Sequence, residues 1–145
     1  MQSQTVSKEE KTSKPTKTPI IYLVASIKNE VYKTLKEGLS HLDAKVLTEE
    51  DFKEGLKKAN LVILLNENFD KVKEAWENGV VPITQKHDTS IIDYNPNTES
   101  GNAFVFQNAN EWEVYAAVVR ALETFKFPYD WKFIVRSCKA SIADA

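Results

Sequence analysis

Five short apolar runs punctuate this chain, and their spacing constrains its fold more than any other feature. They are 20–25 (IIYLVA), 44–47 (AKVL), 61–65 (LVILL), 80–84 (VVPIT) and 103–106 (AFVF). The first is continuous and rich in β-branched residues, as strands covered on both faces are, and the third is the clearest buried strand; the second, which carries Lys45, is a short strand candidate. Between the first four runs lie stretches with apolar residues at helical spacing. Val31, Leu35, Leu39 and Leu42 follow the first run, Phe52, Leu56 and Ala59 the second, and Val72, Ala75 and Trp76 the third. Strand alternating with helix is the signature of a doubly wound, mostly parallel α/β sheet.

Local signals divide the segments. Asn29 is placed to cap the first helix. Thr48, with Asp51 three positions on, resembles a capping box for the second. Gly79 reads as the stop of the third helix, and Pro82 is tolerated near a strand end or at an edge. Residues 85–101 are polar and turn-rich apart from Ile91 and Ile92, and predict a long loop or small excursion. Asn108 or Asn110 can then cap a helix with an apolar stripe of Val114, Ala117, Val118, Ala121, Leu122 and Phe125. Pro128 ends that helix, and Asp130 is placed to cap a last one, with Trp131, Ile134, Val135, Cys138 and Ile142 on one side. Residues 1–18 carry four lysines, two glutamates and two apolar side chains, Met1 and Val6, and read as a flexible, disordered tail. Residues 19–145 read as one domain.

Composition excludes several function classes. Lys plus Arg is 19 and Asp plus Glu 21, a formal net charge of -2, which argues against a nucleic-acid binder. No apolar run approaches the ~18 residues of a membrane-spanning helix, and the first residues lack the apolar stretch of a signal peptide. A single cysteine, Cys138, permits no internal disulfide and fits the cytoplasm. The four glycines are too scattered to form a glycine-rich phosphate loop. No cluster has metal-ligand spacing, and no cofactor is expected. The histidines, His41 and His87, have no spacing that pairs either with Cys138 as base and nucleophile. Trp76 and Trp131 fall on inward faces, and Trp112 sits at a helix start where it could meet a sugar.

The string EAWENGVVPITQK (74–86), then DYN (93–95), then GNAFVFQNANEWEVYAAVVRALETF (101–125), then Trp131, resembles the C-terminal half-domain of bacterial glycogen synthases and plant starch synthases. Those are glycosyltransferases built from two Rossmann domains and dependent on ADP-glucose. The residues that carry the likeness are Gly79, Val81, Pro82, Ile83, Lys86, Asp93, Tyr94, Asn95, Gly101, Phe104, Phe106, Arg120, Ala121 and Leu122, in the family's order. Residues 19–39 and 59–65 are similar more loosely. The resemblance implies a Rossmann-like three-layer sandwich of about five strands, with any ligand at the carboxyl ends of the strands, where the loops begin at Ser26, Thr48, Asn66 and Thr84.

The same resemblance shows what this sequence lacks. Transfer from a nucleotide sugar leaves a diphosphate, whose growing charge needs cations and backbone N–H donors. After its first strand the family carries an Arg and a Lys, where this chain reads Ser26, Ile27, Lys28, Asn29. The family's Lys-Thr-Gly-Gly-Leu loop is here Lys86, His87, Asp88, Thr89, Ser90, with no glycine pair and with an acid near the diphosphate position. The family's glutamate pair, with seven residues between its members, is matched by Glu74 at the second position, with Asn66 at the first and Glu67 one step off. Glu67, Glu74 and Lys86 are therefore the candidate substrate-binding remnants, with no catalytic residue assigned. The expectation is a reduced synthase-like domain, without an acceptor-side domain, that performs no transfer alone and retains weak nucleotide or nucleotide-sugar binding. A protein-interaction module on the same scaffold is the alternative, and an active half that pairs with a separate chain is a third. A phosphorylated receiver domain shares the alternation but needs an aspartate ending strand three, where Leu65 and Asn66 stand.

Overall fold

A computed structural model describes residues 18–24, 30–65 and 68–144. The expected tail, apart from Thr18, lies outside the described residues. So do Ser26, Ile27, Lys28, Asn29, Asn66 and Glu67, and with them the expected cap of the first helix.

All five apolar runs are strands: β1 Ile20–Val24, β2 Lys45–Leu47, β3 Leu61–Leu64, β4 Val81–Thr84 and β5 Phe104–Val105. The helices are α1 Glu30–Leu39, α2 Phe52–Lys58, α3 Phe69–Glu77, α4 Glu111–Phe125 and α5 Pro128–Asp144. The strands form one five-stranded sheet in the order β2-β1-β3-β4-β5, with every pair parallel. Helix α1 packs against α4, and α3 against α5. Right-handed crossovers put α1 and α4 on one face of the sheet and α2, α3 and α5 on the other. This is the expected α/β Rossmann-like sandwich. Covered on both faces, β3 is buried throughout, and Ile21, Tyr22 and Leu23 of β1 are buried too.

Several local expectations hold. Asn110 caps α4 by accepting from the Glu113 N–H at 2.9 Å. Gly79 follows α3 with φ +70°, a conformation that favours glycine. Pro82 is the second residue of β4. The Val81 N–H turns to Asn60 of the β3 side, so the proline nitrogen faces β5, whose pairing with β4 starts only at Ile83. Trp76 and Trp131 are core residues, and Cys138 and Ile134 line the buried side of α5.

Two caps are corrected. Thr48 does not start α2; Asp51 is itself the N-cap, accepting from the N–H groups of Lys53 and Glu54 at 3.0 and 3.4 Å. Gly55 of this helix lies on the Tyr22 ring, where a Cβ would fall 2.2 Å from Cε2. Asp130 does not cap α5, because Pro128 is already its first residue. Proline suits that position, since its missing N–H would have no helical partner there.

The excursion between β4 and β5 is closed from within. Asn102, 3% exposed, donates from Nδ2 to the Ser90 carbonyl and the Ser141 hydroxyl, and its Oδ1 accepts from the Ile92 N–H. Its carbonyl accepts from the Trp76 indole at 3.0 Å and from the Cys138 thiol at 3.2 Å. One asparagine thus ties the loop to α3 and α5.

Candidate functional site

In a sheet of order 2-1-3-4-5, the crossovers from β1 and β3 lead to opposite sides, which leaves a crevice outside their carboxyl ends. A cleft of about 680 Å³ lies there. Its floor is Tyr22, Leu23 and Val24 of β1. Tyr32 and Lys36 of α1 form one wall, Thr48, Glu49 and Glu50 after β2 another, and Phe52 of α2 and Lys71 of α3 complete it.

The floor is rigid. The Tyr22 hydroxyl donates to the Glu49 carbonyl at 2.7 Å, and its ring lies 5.9 Å from that of Phe52. The Lys71 ammonium stands over the Phe52 ring, 4.1 Å from its centroid, and the Lys36 ammonium lies 5.9 Å from the Tyr32 ring. Both are cation–π arrangements. Glu49 is paired with Lys58 at 3.1 Å. The cleft therefore offers two ammonium groups, two aromatic faces and the Glu50 carboxylate.

The candidates from the sequence fall elsewhere. Lys86 lines a smaller groove of about 390 Å³ at the ends of β4 and β5, with Gln85, His87, Val105, Phe106 and Gln107. Its ammonium donates to the Ile91 carbonyl and so holds the following loop. Glu74 lies on α3 and lines a third groove, beside Lys53, Asp70, Lys73, Glu77 and Ile142. Glu74 and Lys86 thus line separate grooves, and Glu67 lies outside the described residues.

Asp88, the acid in place of the glycine loop, accepts from the Ser90 hydroxyl at 2.7 Å and the Ser90 N–H at 3.0 Å. These bonds hold its carboxyl below the usual carboxylate range. The N-terminus of α4 is also filled from within. Glu113 accepts from the N–H groups of Gln107 and Asn108 and from the side-chain amides of Asn108 and Asn110. The Asn108 backbone bond leads in lowering its pKa to about 2. The chain's own carboxylate thus takes the loop N–H groups just ahead of α4, which are then not available to an anion.

His87 is exposed, with Nε2 3.5 Å from the Thr84 hydroxyl, whereas Cys138 is buried and donates to Asn102. Burial pushes the Cys138 thiol pKa up, which makes it inert. Trp112, open to either reading from sequence, is 78% exposed. Among the described residues, no group of three or more His, Cys, Asp or Glu is placed to hold a metal, and no helix is long and apolar enough to cross a membrane.

No sequence signal marks Lys36 or Lys71. Neither belongs to a motif, and only the packing of α1, α2 and α3 brings them to one cleft.

No family model and no curated protein matches the chain. Among solved structures, it is similar to the catalytic domain of starch synthase IV from Arabidopsis thaliana bound to ADP and acarbose. The TM-score is 0.61 at 19% identity, over 88% of this chain and 36% of that one. This chain therefore spans little more than a third of that chain's length, and the likeness establishes a shared α/β fold.

Proposed function

We propose that this chain is a nucleotide- or nucleotide-sugar-binding domain of glycosyltransferase-like fold that performs no glucosyl transfer by itself. The cleft at the switch point carries this reading, since sheets of this kind hold ligands there and it combines cations with ring faces and a hydroxyl acceptor. The similar starch synthase domain holds ADP, which makes ADP and ADP-glucose the first ligands to test.

Transfer needs more than binding. The departing diphosphate must be stabilised by preorganised donors. The loop after β4 carries an aspartate instead of paired glycines, and the loop N–H groups of Gln107 and Asn108 are taken by Glu113. Glu67, Glu74 and Lys86 are the alternative site, to be tested beside the cleft. The buried single thiol fits a cytoplasmic setting.

Calorimetric titration with ADP, UDP and their glucose conjugates tests the proposal, alongside an assay for glucose transfer to a glucan. Saturable binding without transfer is the expected result. Loss of binding on Glu74→Ala or Lys86→Ala would move the site to their grooves. No binding at millimolar nucleotide would favour a protein-interaction module, the reading to which the exposed Trp112, Phe127 and Tyr129 lend support.

A further inference from the structure

We infer that Lys36 and Lys71 together form a phosphate clamp across the switch-point cleft, and that its ligand carries both phosphate and free hydroxyl groups. The inference rests on the nucleotide reading and assigns the groups that do the binding.

A phosphate needs cations that are not already committed. Most cations with a described polar contact are committed: Lys86 to the Ile91 carbonyl, Lys58 to Glu49, Lys57 to Glu54, Lys73 to Asp70, Lys126 to Glu123 and Arg120 to Asp93. Lys36 and Lys71 differ. Among the described residues, neither has a carboxylate within ion-pair distance, and each stands over an aromatic ring of the same cleft. A ring face orients an ammonium group without neutralising it, so the charge remains available to an anion.

Placement adds to this. Lys36 projects from α1 and Lys71 from α3, helices on opposite faces of the sheet. A phosphate outside the end of β1 would meet one from each side. The loop N–H groups of Gln107 and Asn108, ahead of α4, are already taken by Glu113.

The acids in the cleft define the rest of the ligand. The charge of Glu49 is offset by Lys58, whereas Glu50 is exposed and has no ion pair among the described residues. A free carboxylate repels a bare phosphate but accepts hydrogen bonds from sugar hydroxyls. Pyrophosphate satisfies only the lysines, whereas a nucleoside diphosphate satisfies both.

The test is calorimetric titration of the full chain with adenosine, inorganic pyrophosphate and ADP. It is repeated on Lys36→Ala, Lys71→Ala, Lys71→Arg and Glu50→Gln, with folding checked by circular dichroism. ADP is expected to bind roughly tenfold tighter than adenosine, charged contacts being the stronger kind. Each alanine variant should lower ADP affinity several-fold while leaving any adenosine binding unchanged, and Lys71→Arg should retain most of it. Glu50→Gln should strengthen pyrophosphate binding and weaken that of ADP. If ADP binds no tighter than adenosine, or the alanine variants bind it like the wild type, the clamp is wrong while nucleotide binding stands. If pyrophosphate binds through Lys71 but ADP adds nothing to it, the clamp stands and the nucleotide reading falls, along with the hydroxyl requirement. If neither binds, both fall.

Discussion

The Arg120 guanidinium reaches both carboxylate oxygens of Asp93 through one nitrogen, at 3.1 and 3.2 Å. The same nitrogen donates to the Tyr94 carbonyl at 3.1 Å, and the guanidinium carbon lies 5.4 Å from the Phe104 ring centroid. Asp93 in turn accepts from the Val105 N–H at 2.9 Å. That bond satisfies a donor on the outer edge of β5, the kind of group that otherwise invites a foreign strand. Asp93, Tyr94, Phe104 and Arg120 are four of the residues through which the sequence resembles glycogen and starch synthases. Here they meet to close a sheet edge. These matched residues thus build scaffold.

This closure predicts a specific loss. Arg120 and Asp93 are each nearly half exposed, so a double-mutant cycle on Arg120→Ala and Asp93→Ala should give a coupling of about 0.5–1 kcal/mol. Either variant should speed hydrogen exchange at the Val105 amide far more than at β1 or β3. Unchanged exchange at Val105 would show that the edge is held by something else.

Gly101 has φ +130°, and a Cβ there would fall 2.4 Å from the Tyr94 Cα. Gly101→Ala should cost about 2–4 kcal/mol in urea unfolding, from backbone strain and a contact the loop cannot relieve. Gly38 is the control. Its nearest neighbour is the Tyr115 ring at 3.5 Å, and Gly38→Ala should be neutral or stabilise α1 by about 0.5–1 kcal/mol.

Asn102→Ala removes the side-chain bonds to Ser90, Ile92 and Ser141 together, in a nearly fully buried setting. A loss of about 3 kcal/mol is expected, because each abandoned partner must stay desolvated. Thermal unfolding checks it, and a variant as stable as the wild type would contradict the role of Asn102 as the tie between loop and helices.

Glu113 supplies a pH prediction. Its pKa in the folded chain, about 2, lies below the ordinary 4.5. Between these values the unfolded chain binds the proton more readily than the folded one. Stability from Glu113 is therefore fully present above about pH 4.5 and is lost as the pH falls toward about 2. Asp88, shifted the same way by Ser90, adds to the trend. Glu113→Gln should flatten the fall in thermal midpoint across that window. A variant with the same slope as the wild type would show that other carboxylates dominate.

Elements buried on both faces were legible because burial writes itself as continuous apolar runs. All five strands lie within the segments that 20–25, 44–47, 61–65, 80–84 and 103–106 mark out. Caps were less so. Thr48 and Asp51 are both good caps, and the choice of Asp51 shows only in its bonds to the N–H groups of Lys53 and Glu54. The role of Asn102 was hidden because its partners come from α5 and two other stretches. The candidate site was the least legible part. Motif matching pointed to Glu74 and Lys86, which line separate grooves, whereas the cleft at the switch point is lined by lysines that belong to no motif.

The most direct test is a nitrogen-15 chemical-shift titration of the protein with ADP. Binding at the switch-point cleft predicts saturable shifts at Tyr32, Lys36, Thr48 to Phe52 and Lys71, with Gln85 to His87 and Gln107 left unmoved. Shifts centred on the Lys86 groove, or no shift at millimolar ADP, would contradict it.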